Sequence, residues 1–170
     1  MDNGSRMYEY NTSSNLIGDI AAQINNINYN GNIFIITNPN EISTDLFLSY
    51  TKINTCAIYG IGTALDTLRL RSIYNDSNIN AYGVHGNINY ITPEKYNSPI
   101  SIKYTNDRVW KILIGKKKSD FAIAVLLTHI ILAHNYNQEF KIPLYVAHMH
   151  QNLLCSVHNG GINYEKSTTV

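Results

Sequence analysis

Two short runs of unbroken apolar residues constrain this chain more than anything else in it. Ile33-Phe34-Ile35-Ile36 and Cys56-Ala57-Ile58-Tyr59 are too short for helices, and neither alternates polar with apolar positions. That pattern fits a strand covered on both faces, the usual state of strands in a parallel sheet. Each run meets a breaker and then a helical pattern. Thr37-Asn38-Pro39-Asn40-Glu41 closes the first, because Pro39 has no N–H to give a ladder. A helix from Ile42 to Tyr50 follows. Gly60 and Gly62 let the backbone turn tightly after the second run, into a helix carrying Asp66 and Arg69. Strand, helix, strand, helix in that order implies parallel pairing with a right-handed crossover.

Before this core, Ser13 and Ser14 are placed to cap a helix with an apolar stripe at Leu16, Ile17, Ile20, Ile24 and Ile27, ended by Asn30-Gly31. Residues 1–6 read as an expression tag and are set apart from the fold. After the core the pattern changes. Asn80 to Val84 reads as a strand ending at His85, and residues 86–99, with Pro93 and Pro99, as a loop. Ile100 to Tyr104 alternates like an exposed strand, and Arg108 to Ile114 reads as helix. Gly115 and Lys116-Lys117-Lys118 interrupt it, and an apolar helix restarts at Ser119 and runs to about His134. Ile142–Ala147 and Leu153–Val157 read as a closing antiparallel pair. The expected class is α/β, becoming α+β in the second half.

At 170 residues with 44% hydrophobic content, the chain is long enough for one sizeable core. A net charge of +1 gives no electrostatic case for nucleic acid or an acidic membrane. No apolar run reaches the roughly 18 residues of a membrane span, and no secretory leader opens the chain, so a soluble cytoplasmic protein is expected. Cys56 and Cys155 lie in apolar runs and read as buried free thiols. The bias to Asn, Ile and Tyr fits an AT-rich genome, such as that of a virus, symbiont or parasite.

The chemistry-bearing stretch is Gly62 to Gly86. Asp66 and Arg69, three apart in a helical pattern, share one face. His85, delivered by the following strand, completes a general acid/base set: a carboxylate holding an imidazole, with a guanidinium able to fork onto a substrate carboxylate. The same residues also admit a plainer reading, an internal ion pair with His85 as a polar plug. His148-x-His150 would put two imidazoles on one side of a strand, which permits zinc, but the spacing offers no third ligand. Lys116 to Lys118 reads as a solvated turn.

These residues together resemble the lactate/malate dehydrogenase family, in particular its L-lactate branch. Thr37-Asn38-Pro39 is similar to the family's Ser/Thr-Asn-Pro. Gly62-Thr63-Ala64-Leu65-Asp66-Thr67-Leu68-Arg69-Leu70-Arg71 resembles Gly-Thr-x-Leu-Asp-x-x-Arg-x-Arg, and Gly83-Val84-His85-Gly86-Asn87 resembles Gly-Glu-His-Gly-Asp. Lys116 to Ile123 is similar to Lys-Gly-Tyr-Thr-Ser-Trp-Ala-Ile, and Leu154 to Gly161 to the closing strand pair with its Asn-Gly turn. The resemblance covers roughly residues 13–164. It implies a remnant of the nucleotide-binding domain over 7–62 and the C-terminal substrate domain over 63–170. It also implies that His85 is the acid/base histidine and Asp66 its orienting carboxylate. Arg69 would be the substrate-carboxylate arginine, Asn38 the residue near nicotinamide and substrate, and Ser119 a pocket-lining hydroxyl.

Against the family pattern, the sequence begins near the fourth helix of that domain. It holds no Gly-x-Gly-x-x-Gly turn for a pyrophosphate and no loop with a second arginine. Val84 and Asn87 replace two acids beside His85, the Asp66–His85 segment is short for the family, and the long C-terminal helix is missing. The expectation is a truncated pseudoenzyme with no cofactor, no metal and no NAD-dependent activity, reused for protein–protein interaction or assembly. Two parallel strands alone are not stable in water, so a second copy or a protein partner should cover the edge near Ile33–Ile36. The alternatives are a binder or sensor of a small 2-oxo or 2-hydroxy acid, and a residual dehydrogenase whose NAD module lies elsewhere.

Overall fold

The computed structural model describes residues 3–116 and 120–165. In chain order the elements are α1 (Asn3–Asn26), β1 (Ile33–Ile35), α2 (Asn40–Tyr50), β2 (Ile58–Gly60), α3 (Ala64–Tyr74), β3 (Asn80–Val84) and β4 (Asn87–Thr92). They continue with α4 (Pro99–Lys116), α5 (Asp120–Asn135), β5 (Phe140–Val146), β6 (Gln151–His158) and β7 (Gly161–Tyr164). Hydrogen-bonded neighbours run β1-β2-β5-β6-β7 in one sheet and β3-β4 in another, a mixed α/β architecture. Among the described residues no helix is long and apolar enough to cross a membrane.

The chain divides into two compact units. One comprises Met1–Ile61 with Tyr145–Gln151, the other Gly62–Leu144 with Asn152–Val170. In the first, β1 and β2 pair in parallel, Ile33 opposite Ile58 and Ile35 opposite Gly60, with α2 as the crossover. The pair does not stand alone. Tyr59 and Gly60 also pair antiparallel with Val146 and Tyr145 at the end of β5. Ile17, Ala21, Phe47, Ile58 and Ala147 form the core of this unit, backed by Ile24, Ile33, Ile35 and Leu46. Gly60 is required by crowding: a Cβ there would lie 2.5 Å from Asn40 Oδ1 and 2.6 Å from Thr44 Oγ1.

Several sequence expectations change here. Helix α1 starts at Asn3, inside the stretch set apart as a tag, so Ser13 and Ser14 are mid-helix rather than caps. Their hydroxyls bond back to Tyr10 O and Asn11 O at 3.5 and 3.3 Å, the local bonding such side chains fall back on inside a helix. Cys56 is exposed, not buried. Its N–H is taken by the Asn54 side chain at 3.0 Å, which bends Thr55–Ala57 into a 3₁₀ turn and delays the strand to Ile58. Cys155 is a buried free thiol.

In the second unit, residues 87–92 form a strand rather than loop. Val84 pairs with Asn87 around His85-Gly86, a two-residue hairpin connection with Gly86 at φ +74°. The register slips between Tyr82 and Gly83, so both Ile88 and Ile91 are buried and the period of two disappears from the sequence. The alternation at Ile100–Tyr104 belongs to α4, not to a strand. Ser98 Oγ accepts from Ser101 N at 3.1 Å, and Pro99 opens the helix, where a missing N–H costs nothing. Leu70, Ile79, Ala81, Ile88 and Ile91 form the core of this unit, with Tyr74, Tyr96 and Ile102 packed against it. Strand β7 returns antiparallel to β6, His158 opposite Gly161.

Candidate functional site

Helix α3 starts from a bend at Gly62, which has φ +42°. Thr67 N bonds to Thr63 O at 2.9 Å and closes the first turn. Asp66 sits in that turn, where free N–H groups favour negative charge, and Arg69 follows one turn on. Beyond the register shift at Tyr82/Gly83 the chain turns at His85-Gly86 and presents both residues to Asp66.

The Asp66 carboxylate is fully buried and both its oxygens are engaged. Oδ1 accepts from Arg69 Nη1 at 3.2 Å, and Oδ2 meets His85 Nδ1 at 3.0 Å and accepts from Gly86 N at 3.1 Å. The side chains of Arg69 and His85 are each only 14% exposed. Burial alone would raise the Asp66 carboxyl. The His85 hydrogen bond and charge, the Gly86 N–H and the Arg69 charge outweigh it, and the group is held below the usual aspartate value. Asp66 is therefore an ionised, acceptor-only partner, which makes His85 Nδ1 the donor of their bond. A carboxylate that fixes the tautomer of an imidazole, next to a guanidinium, can anchor a carboxylic acid and exchange a proton with its hydroxyl or carbonyl.

Two hydrogen bonds between side chain and backbone hold the start of α3 against β3, and a third ties β6 to β3. Thr63 Oγ1 donates to Ala81 O at 2.5 Å, Ala81 N donates to Thr67 Oγ1 at 2.9 Å, and Asn152 Nδ2 donates to Gly83 O at 2.8 Å. Arg71, the second arginine of the motif, clamps strands instead of facing the site. It donates to Ile79 O, Asn80 Oδ1 and Lys141 O at 2.8, 2.8 and 3.0 Å.

The structure thus brings together Asp66, Arg69 and His85. Asn38 lies in the other unit, exposed in the turn before α2 and followed by a cis bond to Pro39. Ser119 lies outside the described residues. His148 and His150 are not on a strand as expected. His148 is in a 3₁₀ turn and His150, at φ +52°, caps it. His150 pairs with Asp45 at 3.0 Å, and Tyr145 OH bonds both oxygens of the same carboxylate at 2.8 Å. Among the described residues no group of three His, Cys, Asp or Glu is arranged to hold a metal ion. Sequence reasoning missed the Gly86 N–H, Thr63, Thr67 and Asn152. Only Thr63 and Thr67, one helical turn apart beside Asp66, left any local signal.

No family model matches the chain. Among solved structures it is similar to a lactate dehydrogenase from a Medee basin deep-sea metagenome library, with TM-score 0.76, 18% identity, and 92% of this chain aligned with 62% of that one. The L-lactate dehydrogenase from Clostridium thermocellum gives TM-score 0.76 at 17% identity, covering 98% of this chain and 66% of that one. The malate dehydrogenase from Archaeoglobus fulgidus, solved with NADH, gives 0.75 at 16%, covering 93% and 60%. The chain therefore has the lactate/malate dehydrogenase fold and spans less than two thirds of the length of these enzymes.

Proposed function

We propose that this chain binds a small 2-oxo or 2-hydroxy carboxylic acid through Arg69 and His85, and that its residues do not themselves carry out NAD-dependent oxidoreduction. The observation that carries the reading is the buried Asp66 carboxylate holding His85 at 3.0 Å and Arg69 at 3.2 Å within one compact unit. Arg69 supplies a planar fork for the acid group, and His85, fixed in one tautomer, faces the neighbouring oxygen. The fold implies a dinucleotide, whose nicotinamide would supply or accept hydride. The residues here do not fit its pyrophosphate. Among the described residues the only strand-to-helix turn of the Gly-x-Gly kind is Gly60-Ile61-Gly62. Gly60 makes room for the chain's own Asn40 and Thr44, and the helix after the turn already holds Asp66 in its first turn. No step is derived through that cofactor.

Calorimetry with oxamate, pyruvate and oxaloacetate tests the reading. Binding is expected in the wild type. Arg69→Ala should lose about 1.5–3 kcal/mol, on the order of ten- to a hundred-fold, and Arg69→Lys should recover little because it lacks the fork. Absence of heat with all three acids removes the reading. Oxidation of NADH in the presence of pyruvate or oxaloacetate would instead favour a residual dehydrogenase.

A second reading, assembly with a protein partner or a second copy, is favoured by a different observation. β1 ends the strand order, and in the same unit Leu16, Ile20, Ile27 and Ile36 are 42–69% exposed. A single monomeric species in sedimentation at tens of micromolar would remove self-association.

A further inference from the structure

We propose that Asn152 is a positioning residue for the candidate site, tying the strand end that carries His85 to the helix start that carries Asp66. The carboxylate-binding reading enters only through the affinity measurement below.

Asp66 and His85 come from different elements, so their 3.0 Å separation depends on how the end of β3 is held against the start of α3. Thr63 and Thr67 fasten Ala81, near the beginning of the strand. Past Ala81 the ladder is interrupted: the register shifts at Tyr82/Gly83, and Gly83 takes φ +129°. The extra residue, Asn89, lies on β4, and the pairs beyond it, Gly83 with Ile88 and Val84 with Asn87, tie the His85 end of β3 to β4 rather than to α3, so the threonines at Ala81 are not its direct anchor. No other residue type fits Gly83 readily, since a Cβ would lie 2.9 Å from Asn89 N and 3.0 Å from Asn87 O. The direction of its carbonyl is therefore fixed by the bulge.

Asn152 meets that carbonyl. Its Nδ2 donates to Gly83 O at 2.8 Å, and its Oδ1 accepts from Thr63 N at a longer 3.4 Å. The partners settle which way the amide points, since a carbonyl needs the NH₂ and an N–H needs the oxygen. One side chain thus joins the residue two before His85 to the residue three before Asp66. It is itself held in β6 between Gln151 and the buried Leu153. An amide is the only uncharged side-chain group of this size with both a donor and an acceptor on one rigid plane.

The test uses the whole chain, wild type and four variants: Asn152→Ala, Asn152→Asp, Ile79→Val and, to assign the histidine signal, His85→Gln. Asn152→Asp is isosteric, keeps the acceptor for Thr63 N, loses the donor for Gly83 O, and carries the test if Asn152→Ala does not fold. Ile79→Val loosens the same core without touching polar groups. In ¹⁵N-histidine spectra the wild type should show a low-field, slowly exchanging Nδ1–H signal that disappears in His85→Gln. It should be lost or moved in both Asn152 variants and retained in Ile79→Val. Oxamate affinity should fall about tenfold or more in the Asn152 variants, as expected when a misplaced His85 loses its hydrogen bond to the ligand. Persistence of the signal in Asn152→Asp, its loss in Ile79→Val, or its absence from the wild type overturns the proposal. If the wild type shows the signal but binds no oxamate, the binding reading fails and the signal alone decides the role of Asn152.

Discussion

The chain holds two aspartate–histidine pairs at the same separation, one in each compact unit. Asp66 and His85 are 3.0 Å apart, with side-chain exposures of 0% and 14%. Asp45 and His150 are also 3.0 Å apart, with exposures of 40% and 63%. Distance alone makes them equivalent; burial does not. At the surface, water and salt screen the attraction, and an isolated pair contributes little. In the interior the carboxylate has given up its hydration, so each partner is needed to hold its charge. Asp66 accordingly has three donors, from Arg69, His85 and Gly86. At the surface site the perturbed group is Tyr145, whose hydroxyl is pushed up by burial first and then by its bonds to Asp45.

The largest expected difference lies in stability. Asp66→Asn leaves the buried Arg69 guanidinium without its counter-charge and should cost about 3–5 kcal/mol. Asp45→Asn removes a half-exposed pair and weakens the Tyr145 bonds, for about 1 kcal/mol. Urea midpoints at unchanged slope measure both. Equal losses would break the comparison.

The next effect is in acid. Because the Asp66 carboxyl is depressed in the folded state, its stabilisation is fully present above the ordinary value of 3.8 and is lost as pH falls through the lower folded value. The stability difference between wild type and Asp66→Asn should therefore shrink as pH falls below that value. Asp76, bonded by Asn78 N and Tyr96, and Glu139, bonded by Ser156, are depressed as well. Some acid slope should then remain in the variant. A difference that stays constant to the acid transition would show that Asp66 is not held ionised by its neighbours.

What the sequence made legible follows the range of each interaction. The Asp66–Arg69 pair is three residues long, and the β1-α2-β2 order is written in local apolar runs, so both could be read directly. The β3–β4 hairpin could not, because its bulge breaks the alternation that marks a strand. Ile100–Tyr104 alternates by accident inside α4, and the deciding signal was the Ser98 cap with Pro99 behind it, which is easily read as loop. His85, nineteen residues from Asp66, could be brought to it by a short strand following the helix, and the family resemblance pointed to the same pairing. Asn152 reaches Gly83 and Thr63 across 69 and 89 residues, and His150 reaches Asp45 across 105. Nothing local announces such contacts; they exist only once the strands are in place.

The smallest expected effect separates the pairs by a different lever. His150 sits at φ +52°, so alanine there would add backbone strain to the loss of the pair. Asn tolerates that conformation and carries no charge, which makes His150→Asn the cleaner substitution. At low ionic strength it should cost about 0.2–1 kcal/mol. Asp45 keeps the Tyr145 hydroxyl, whose one proton is shared between its two oxygens, so no buried charge is stranded. In about 1 M NaCl the screening length falls to roughly 3 Å, and the deficit should vanish. The deficit of Asp66→Asn should survive the same salt, because ions do not enter between Asp66 and its three donors. Were the His150→Asn deficit to persist in salt while that of Asp66→Asn faded, the buried and exposed assignments would have to be exchanged, and the surface pair would become the better candidate for a working site.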